Sequence, residues 1–223
     1  MFLLDAFHWS QLLQPQFYIE HGGLWLILLV VFAETGLFAG FFLPGDSLLF
    51  VAGIYSTNLA AELWSTGNEF TDLFLLMSLI AAAGIAGNAT GYWFGKKVGP
   101  AMYDWKDNLL FKKKYLVQAQ EFYEKHGGRA IVIARFIPIV RTFAPIVAGI
   151  VAMDKKKFVY FNVVGCLAWV SSMLCAGHFL QAWILKQFQF DLKNHLEVIV
   201  LGIVLVTTLP VIINVISHRS RKS

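Results

Sequence analysis

Apolar residues come in long runs along this chain, separated by short charged stretches, and the run lengths are the first guide to its architecture. Residues 24–54 form a run of 31 residues in which Glu34 and Asp46 are the only charges. One straight helix of that length would extend about 46 Å, too long for a hydrocarbon core of about 30 Å, yet two complete spans would need about 40 residues. Pro44-Gly45 stands where the chain has to turn, so the run predicts a re-entrant helical hairpin that enters and leaves the membrane on one side. Residues 73–94 predict a full transmembrane helix. Gly87, Gly91, Gly95 and Gly99 recur there at every fourth position, a small-residue face on which a hairpin can seat. Residues 130–153, 158–180 and 196–216 are further apolar segments. Residues 1–20 interleave Phe2, Phe7, Trp9, Leu12 and Phe17 with polar residues and are interrupted by Pro15, which predicts an amphipathic segment lying at the interface.

Charge orients these segments. No Lys or Arg precedes Lys96, although seven of the fourteen acidic residues do. The polar loop from Ile54 to Asp72 holds only acids, whereas residues 96–129 collect Lys96, Lys97, Lys106, Lys112, Lys113, Lys114, Lys125 and Arg129. By the positive-inside rule the first hairpin lies outside and the basic segment is cytoplasmic. Residues 130–153 are long enough to cross once, but Lys155-Lys156-Lys157 follow at once, and a single crossing would leave one basic cluster outside. A second hairpin, opening to the cytoplasm, satisfies both clusters. Residues 158–180 then cross outward, and 196–216 return to the basic tail His218-Arg219-Ser220-Arg221-Lys222.

The composition agrees: 57% hydrophobic, 14% charged, mean hydropathy +0.62 and twenty Phe describe an integral membrane protein. The N-terminus has no positive n-region and no small-residue cleavage site, so no signal peptide is expected. Cys166 and Cys175 would lie about 13 Å apart on one helix, too far for a disulfide, and read as packing residues. Aromatics among the basic residues of 96–129 suit a membrane surface better than nucleic acid, given the apolar spans on either side.

The two hairpins look like copies. Glu34 stands ten residues before Pro44 and Arg135 ten before Pro145. Val51-Ala52-Gly53-Ile54 recurs as Val147-Ala148-Gly149-Ile150, and His21-Gly22-Gly23 as His126-Gly127-Gly128. The predicted fold is therefore a single-domain, all-α polytopic membrane protein. It is an inverted repeat with two opposed re-entrant hairpins, about three full transmembrane helices and an N-terminal interfacial helix. Secondary transporters place their sites at such repeat interfaces.

One hairpin carries carboxylates where the other carries guanidiniums. A buried arginine cannot escape by losing its proton, so Arg135 and Arg141 must be paired, hydrated or offered to an anion. Six residues apart, they point about 240° apart on an ideal helix, and Pro138 and Pro145 are the expected breaks that let them converge. Two planar forks suit a phosphate or carboxylate. Glu34 and Asp46 are groups whose charge a proton can switch, so the pattern points to arginines holding an anionic headgroup and carboxylates coupling to protons. Pure structural pairing between the two sets is the simpler alternative. His21 and His126 read as turn residues, and no metal or cofactor is expected because the histidines lack ligand spacing. Neither a Gly-x-Ser-x-Gly elbow nor a Walker loop occurs, so no enzyme is predicted.

Glu34 followed by Gly36, then Phe42-Leu43-Pro44-Gly45-Asp46, then Arg135-Phe136-Ile137-Pro138 leading to Arg141, Pro145 and Ala148-Gly149, resemble the bacterial DedA family of inner-membrane proteins. That family shares its core domain with lipid scramblases of the eukaryotic endoplasmic reticulum. The similarity runs from about His21 to Leu180. It implies lipid transport across the bacterial inner membrane, in particular return of undecaprenyl phosphate to the inner leaflet, dependent on the proton motive force. The family's acidic pair falls on Glu34 and Asp46 and its arginine pair on Arg135 and Arg141. The expected partners are membrane lipids and protons, with a homo-oligomer left open. A proton-coupled transporter of ions or small solutes and a non-transport membrane scaffold are the competing readings.

Overall fold

A computed structural model of the chain describes residues 15–37, 43, 45–64, 67–104, 121–123, 125–189 and 192. The described residues are helical with no strand. Among the described residues seven helices follow in chain order: α1 Pro15–Gly36, α2 Gly45–Ile54, α3 Ser56–Ala61, α4 Glu69–Asp104, α5 Arg129–Ala134, α6 Pro138–Ile150 and α7 Lys155–Phe188. Two stretches among the described residues are long and apolar enough to cross a membrane, Glu69–Pro100 in α4 and Lys155–Phe188 in α7. The expected interfacial segment up to residue 14, the hairpin tip at 38–42 and 44, and the span at 196–216 lie outside the described residues.

The two spans are longer than their apolar runs predict. Lys96 and Lys97 continue α4 instead of opening a loop, because lysine is a good helix former whose stem can reach toward a polar surface. Similarly, α7 runs on to Phe188, through the start of the loop expected from 181. The acidic connection after Ile54 contains a helix of its own, α3. At the other end of α7, the Asp154 carboxylate accepts the Lys157 backbone N–H at 2.9 Å, an N-terminal cap.

Contacts divide the chain into two units. The first holds the described parts of Met1–Ile27, Pro44–Leu73 and Met173–Ser223, and the second those of Leu28–Leu43 and Phe74–Ser172. In the first unit α1 bends at Gly23, whose φ of 50° and ψ of −142° interrupt the helix. The Glu62 carboxylate accepts the Leu24 N–H at 2.9 Å beside that bend. Here α2 meets the C-terminal part of α7 backbone to backbone: a Cβ on Gly53 would strike the Leu174 carbonyl oxygen, and one on Gly177 the Phe50 carbonyl oxygen.

The second unit repeats this contact with other helices. A Cβ on Gly149 of α6 would strike the Tyr92 carbonyl oxygen of α4, and one on Gly95 the Ile146 carbonyl oxygen. Phe50 and Ile146 each precede their Val-Ala-Gly-Ile glycine by three residues, and Leu174 and Tyr92 each precede Gly177 and Gly95 by three. The repeated motif thus seats each short helix on a long helix in the same register. The glycine stripe of α4 also takes α1: Gly87 faces Thr35 and the Phe32 carbonyl, and Gly36 faces Gly87.

The apolar segment 130–153 is a helix, a break and a helix. Arg135, Phe136 and Ile137 donate their N–H groups to Val132, Ile133 and Ala134 at 3.1–3.3 Å, so the break leaves its own amides satisfied. Ile137 is extended (φ −114°, ψ 107°), as the residue before a proline prefers, and Pro138 opens α6 at a position that needs no N–H. Pro145 corrects an expectation. It lies inside α6, which continues to Ile150, because one missing N–H costs a single ladder bond and the close seat on α4 holds the helix.

Candidate functional site

The second unit collects charge in its interior. Glu34 stands in the last turn of α1, Arg135 at the C-terminal cap of α5 and Arg141 in the first turns of α6. Their exposures are 3%, 4% and 7%, so all three are removed from solvent. The break at 135–137 lies between the two arginines, so they are not held to the angular separation an unbroken helix would impose.

Arg141 donates from Nη2 to Glu34 Oε1 in a buried ion pair. Its guanidinium also lies over the buried Trp169 ring, 4.7 Å from the centroid, a cation–π contact that keeps the charge in an apolar wall. Glu34 therefore pairs with Arg141, a choice that the sequence leaves open.

Arg135 has a neutral partner set. Its Nη2 donates to Asn162 Oδ1 at 2.5 Å, and Asn162 Nδ2 donates to the Ile85 carbonyl at 3.2 Å. As placed, Asn88 Nδ2 donates to Asn162 Oδ1 at 2.8 Å; with the amide turned over, its oxygen faces the Arg135 guanidinium instead. In that orientation it accepts from Arg135 and donates to the Thr35 carbonyl at 2.9 Å. The Arg135 stem crosses α7 at Gly165, where a Cβ would stand 3.1 Å from Arg135 Cδ. Arg135 Nε is buried with no hydrogen-bond partner among the described residues.

Asn88, Asn162 and Trp169 are missed by the charge pattern. The available signal was that Asn88 and Asn162 are amides set within the apolar segments 73–94 and 158–180, where a polar side chain needs a partner. Asp46 is half-buried in the first turn of α2 and belongs to the first unit. Gly45 begins α2, Pro138 begins α6, and Pro44 lies outside the described residues. His126 is exposed and bonds the Phe122 carbonyl at 3.0 Å, as a turn residue would. Cys166 and Cys175 are free thiols, and Cys166 Sγ bonds the Ala81 carbonyl at 3.4 Å.

The VTT domain model matches residues 24–179, which contain every residue of this cluster. This chain belongs to the DedA family. Protein DedA of Escherichia coli (strain K12) is 38% identical over 200 residues, covering 88% of this chain and 85% of that protein. An uncharacterised membrane protein of Mycobacterium leprae (strain TN) is 33% identical over 94% of this chain and 86% of its own length. Inner membrane protein YqjA of Escherichia coli (strain K12) is 32% identical over 71% of this chain and 68% of that protein. No solved structure matches. With two helices of spanning length and relatives named as membrane proteins, this DedA-family chain is a membrane protein.

Proposed function

We propose that this DedA-family protein is a lipid translocase that moves undecaprenyl phosphate or a related anionic lipid between leaflets of the bacterial inner membrane, driven by protons and without chemical conversion. The observation that carries the reading is the buried Arg141–Glu34 pair beside Arg135. Two permanently charged guanidiniums are buried in one unit, and Arg135 Nε is a donor with no partner among the described residues. A phosphate monoester headgroup matches two guanidiniums in charge and in fork geometry.

Proton coupling follows from competition. While Glu34 is ionised it occupies Arg141. A proton on Glu34 removes that attraction and leaves the guanidinium for phosphate. Headgroup binding and protonation are then mutually favourable, and the linkage is reciprocal. Asp46 serves as a second proton site in this scheme. The basic ends of the long helices, the segment 96–129 and the C-terminus face the cytoplasm.

The deciding experiment follows a labelled polyprenyl phosphate between leaflets of proteoliposomes, with and without a pH gradient, for the native chain and Arg135→Ala. Gradient-sensitive movement lost in the variant supports the reading. Folded, inserted native protein that moves no lipid overturns it, and solute flux measured in the same vesicles then separates the ion or solute transporter from the scaffold.

A further inference from the structure

We propose that the second unit carries a binding groove for an anionic membrane lipid, separate from the arginine cluster, where the Lys96 turn of α4 meets the basic start of α7. A cavity of about 310 Å³ is lined by Ala89, Tyr92, Trp93 and Lys96 of α4 and by Lys155, Phe158 and Val159 of α7. Its wall is almost wholly apolar apart from the two lysines. Tyr92 and Phe158 stack at 4.2 Å between ring centroids and are both buried, so they form a flat aromatic floor. The Tyr92 hydroxyl donates to the Met153 carbonyl at 2.5 Å, which ties this floor to the start of α7.

The shape and the charge specify the occupant. From Ala89 to Lys96 the lining extends about 10 Å along α4, a large part of one leaflet's hydrocarbon depth, so the slot matches the upper part of an acyl chain. Trp93 is 61% exposed and has the Lys97 ammonium 5.2 Å above its ring, the paired aromatic and cation of a headgroup-level belt. Lys96 and Lys155 are exposed at the rim. The strips Ala89–Lys97 and Asp154–Val159 together hold five lysines and one carboxylate, and Asp154 is engaged in capping α7. An apolar slot below a cationic rim is complementary to a lipid whose headgroup carries net negative charge and opposed to no feature of its chain. A zwitterionic lipid would fill the slot equally well but would gain little from the rim.

This assignment does not depend on translocation, and its test measures residence in the groove alone. The full chain is reconstituted in phosphatidylcholine vesicles containing a photoactivatable lipid with a diazirine high on its acyl chain, either phosphatidylglycerol or phosphatidylcholine. Labelled residues are located by peptide mass spectrometry. The phosphatidylglycerol probe is expected to label Trp93, Phe158 and Val159 in preference to the phosphatidylcholine probe. That preference should fall by about fivefold for each lysine removed in Lys96→Gln and Lys155→Gln. Both lysines are exposed, so the variants retain the fold, and an unchanged thermal midpoint verifies it. Ala89→Trp, which fills the slot, should remove groove labelling by both probes. Equal labelling by the two probes, or a preference for phosphatidylglycerol that survives loss of both lysines, overturns the proposal.

Discussion

Arg141 and Glu34 form a buried ion pair across 107 residues of sequence, joining the end of α1 to the beginning of α6. Neither charge has access to bulk water, so each depends on the other more than a surface pair would. Glu34→Gln or Arg141→Met alone is expected to cost about 3–5 kcal/mol, because it leaves a buried charge behind. The double variant should recover most of that loss. Thermal unfolding in detergent followed by tryptophan fluorescence measures the stability side, and lipid movement by the recovered double variant separates the two roles. Recovery of both stability and transport would assign the pair a structural role only.

Asn162 joins Arg135 to the Ile85 carbonyl, so Asn162→Leu should strand a guanidinium N–H and a carbonyl together. A loss of about 1–3 kcal/mol is expected for each buried group left unsatisfied. Asn162→Asp, which keeps the acceptor toward Arg135, should be milder. Comparing the two melting midpoints checks whether the acceptor or the amide donor matters more.

Gly53 and Gly149 occupy equivalent places against long-helix backbone, and backbone cannot rotate away as a side chain can. Gly53→Val and Gly149→Val are each expected to lower yield of folded protein sharply, with comparable severity. Gly67 has open space around it and a φ of 73°, so Gly67→Asn should change stability by less than about 0.5 kcal/mol. Detergent-solubilised yield and melting temperature across the three variants test the equivalence.

Ala152 closes α6 with a φ of 52°, a conformation that side chains adopt at a cost. The Met153 N–H bonds the Ala148 carbonyl and the Ala152 N–H the Gly149 carbonyl, both at 3.0 Å, which is the helix-ending arrangement that normally has glycine at this place. Ala152→Gly should stabilise by about 1 kcal/mol, read as a higher melting midpoint with unchanged lipid transport.

Tyr123, outside the membrane-spanning segments, donates its hydroxyl to the Ala144 carbonyl at 2.9 Å, and burial pushes its phenol well above the ordinary range. As pH rises through that ordinary range, an unfolded chain loses the proton while the folded protein keeps it. The folded state then binds more protons, so stability falls with rising pH. Tyr123→Phe should lose about 1 kcal/mol at neutral pH but show a weaker alkaline decline. Melting midpoints measured at neutral and alkaline pH give the comparison.

Run length, charge asymmetry and the paired motifs of residues 24–54 and 130–153 determined the membrane class, the two long helices and the four charged candidates, because burial in lipid constrains residue types directly. Pro138 likewise announced the break, since a proline restricts the residue before it whatever lies around. Partner choice was different. That Glu34 takes Arg141, that Arg135 rests on Asn88 and Asn162, and that Trp169 covers a guanidinium depend on how α1, α4, α6 and α7 are brought side by side. Pro145 shows the same limit: its missing N–H is a local fact, but whether the helix continues through it depends on the close contact between α6 and α4. Local sequence sets which groups cannot be left alone in an apolar medium, and only the tertiary arrangement decides which groups are near enough to satisfy them.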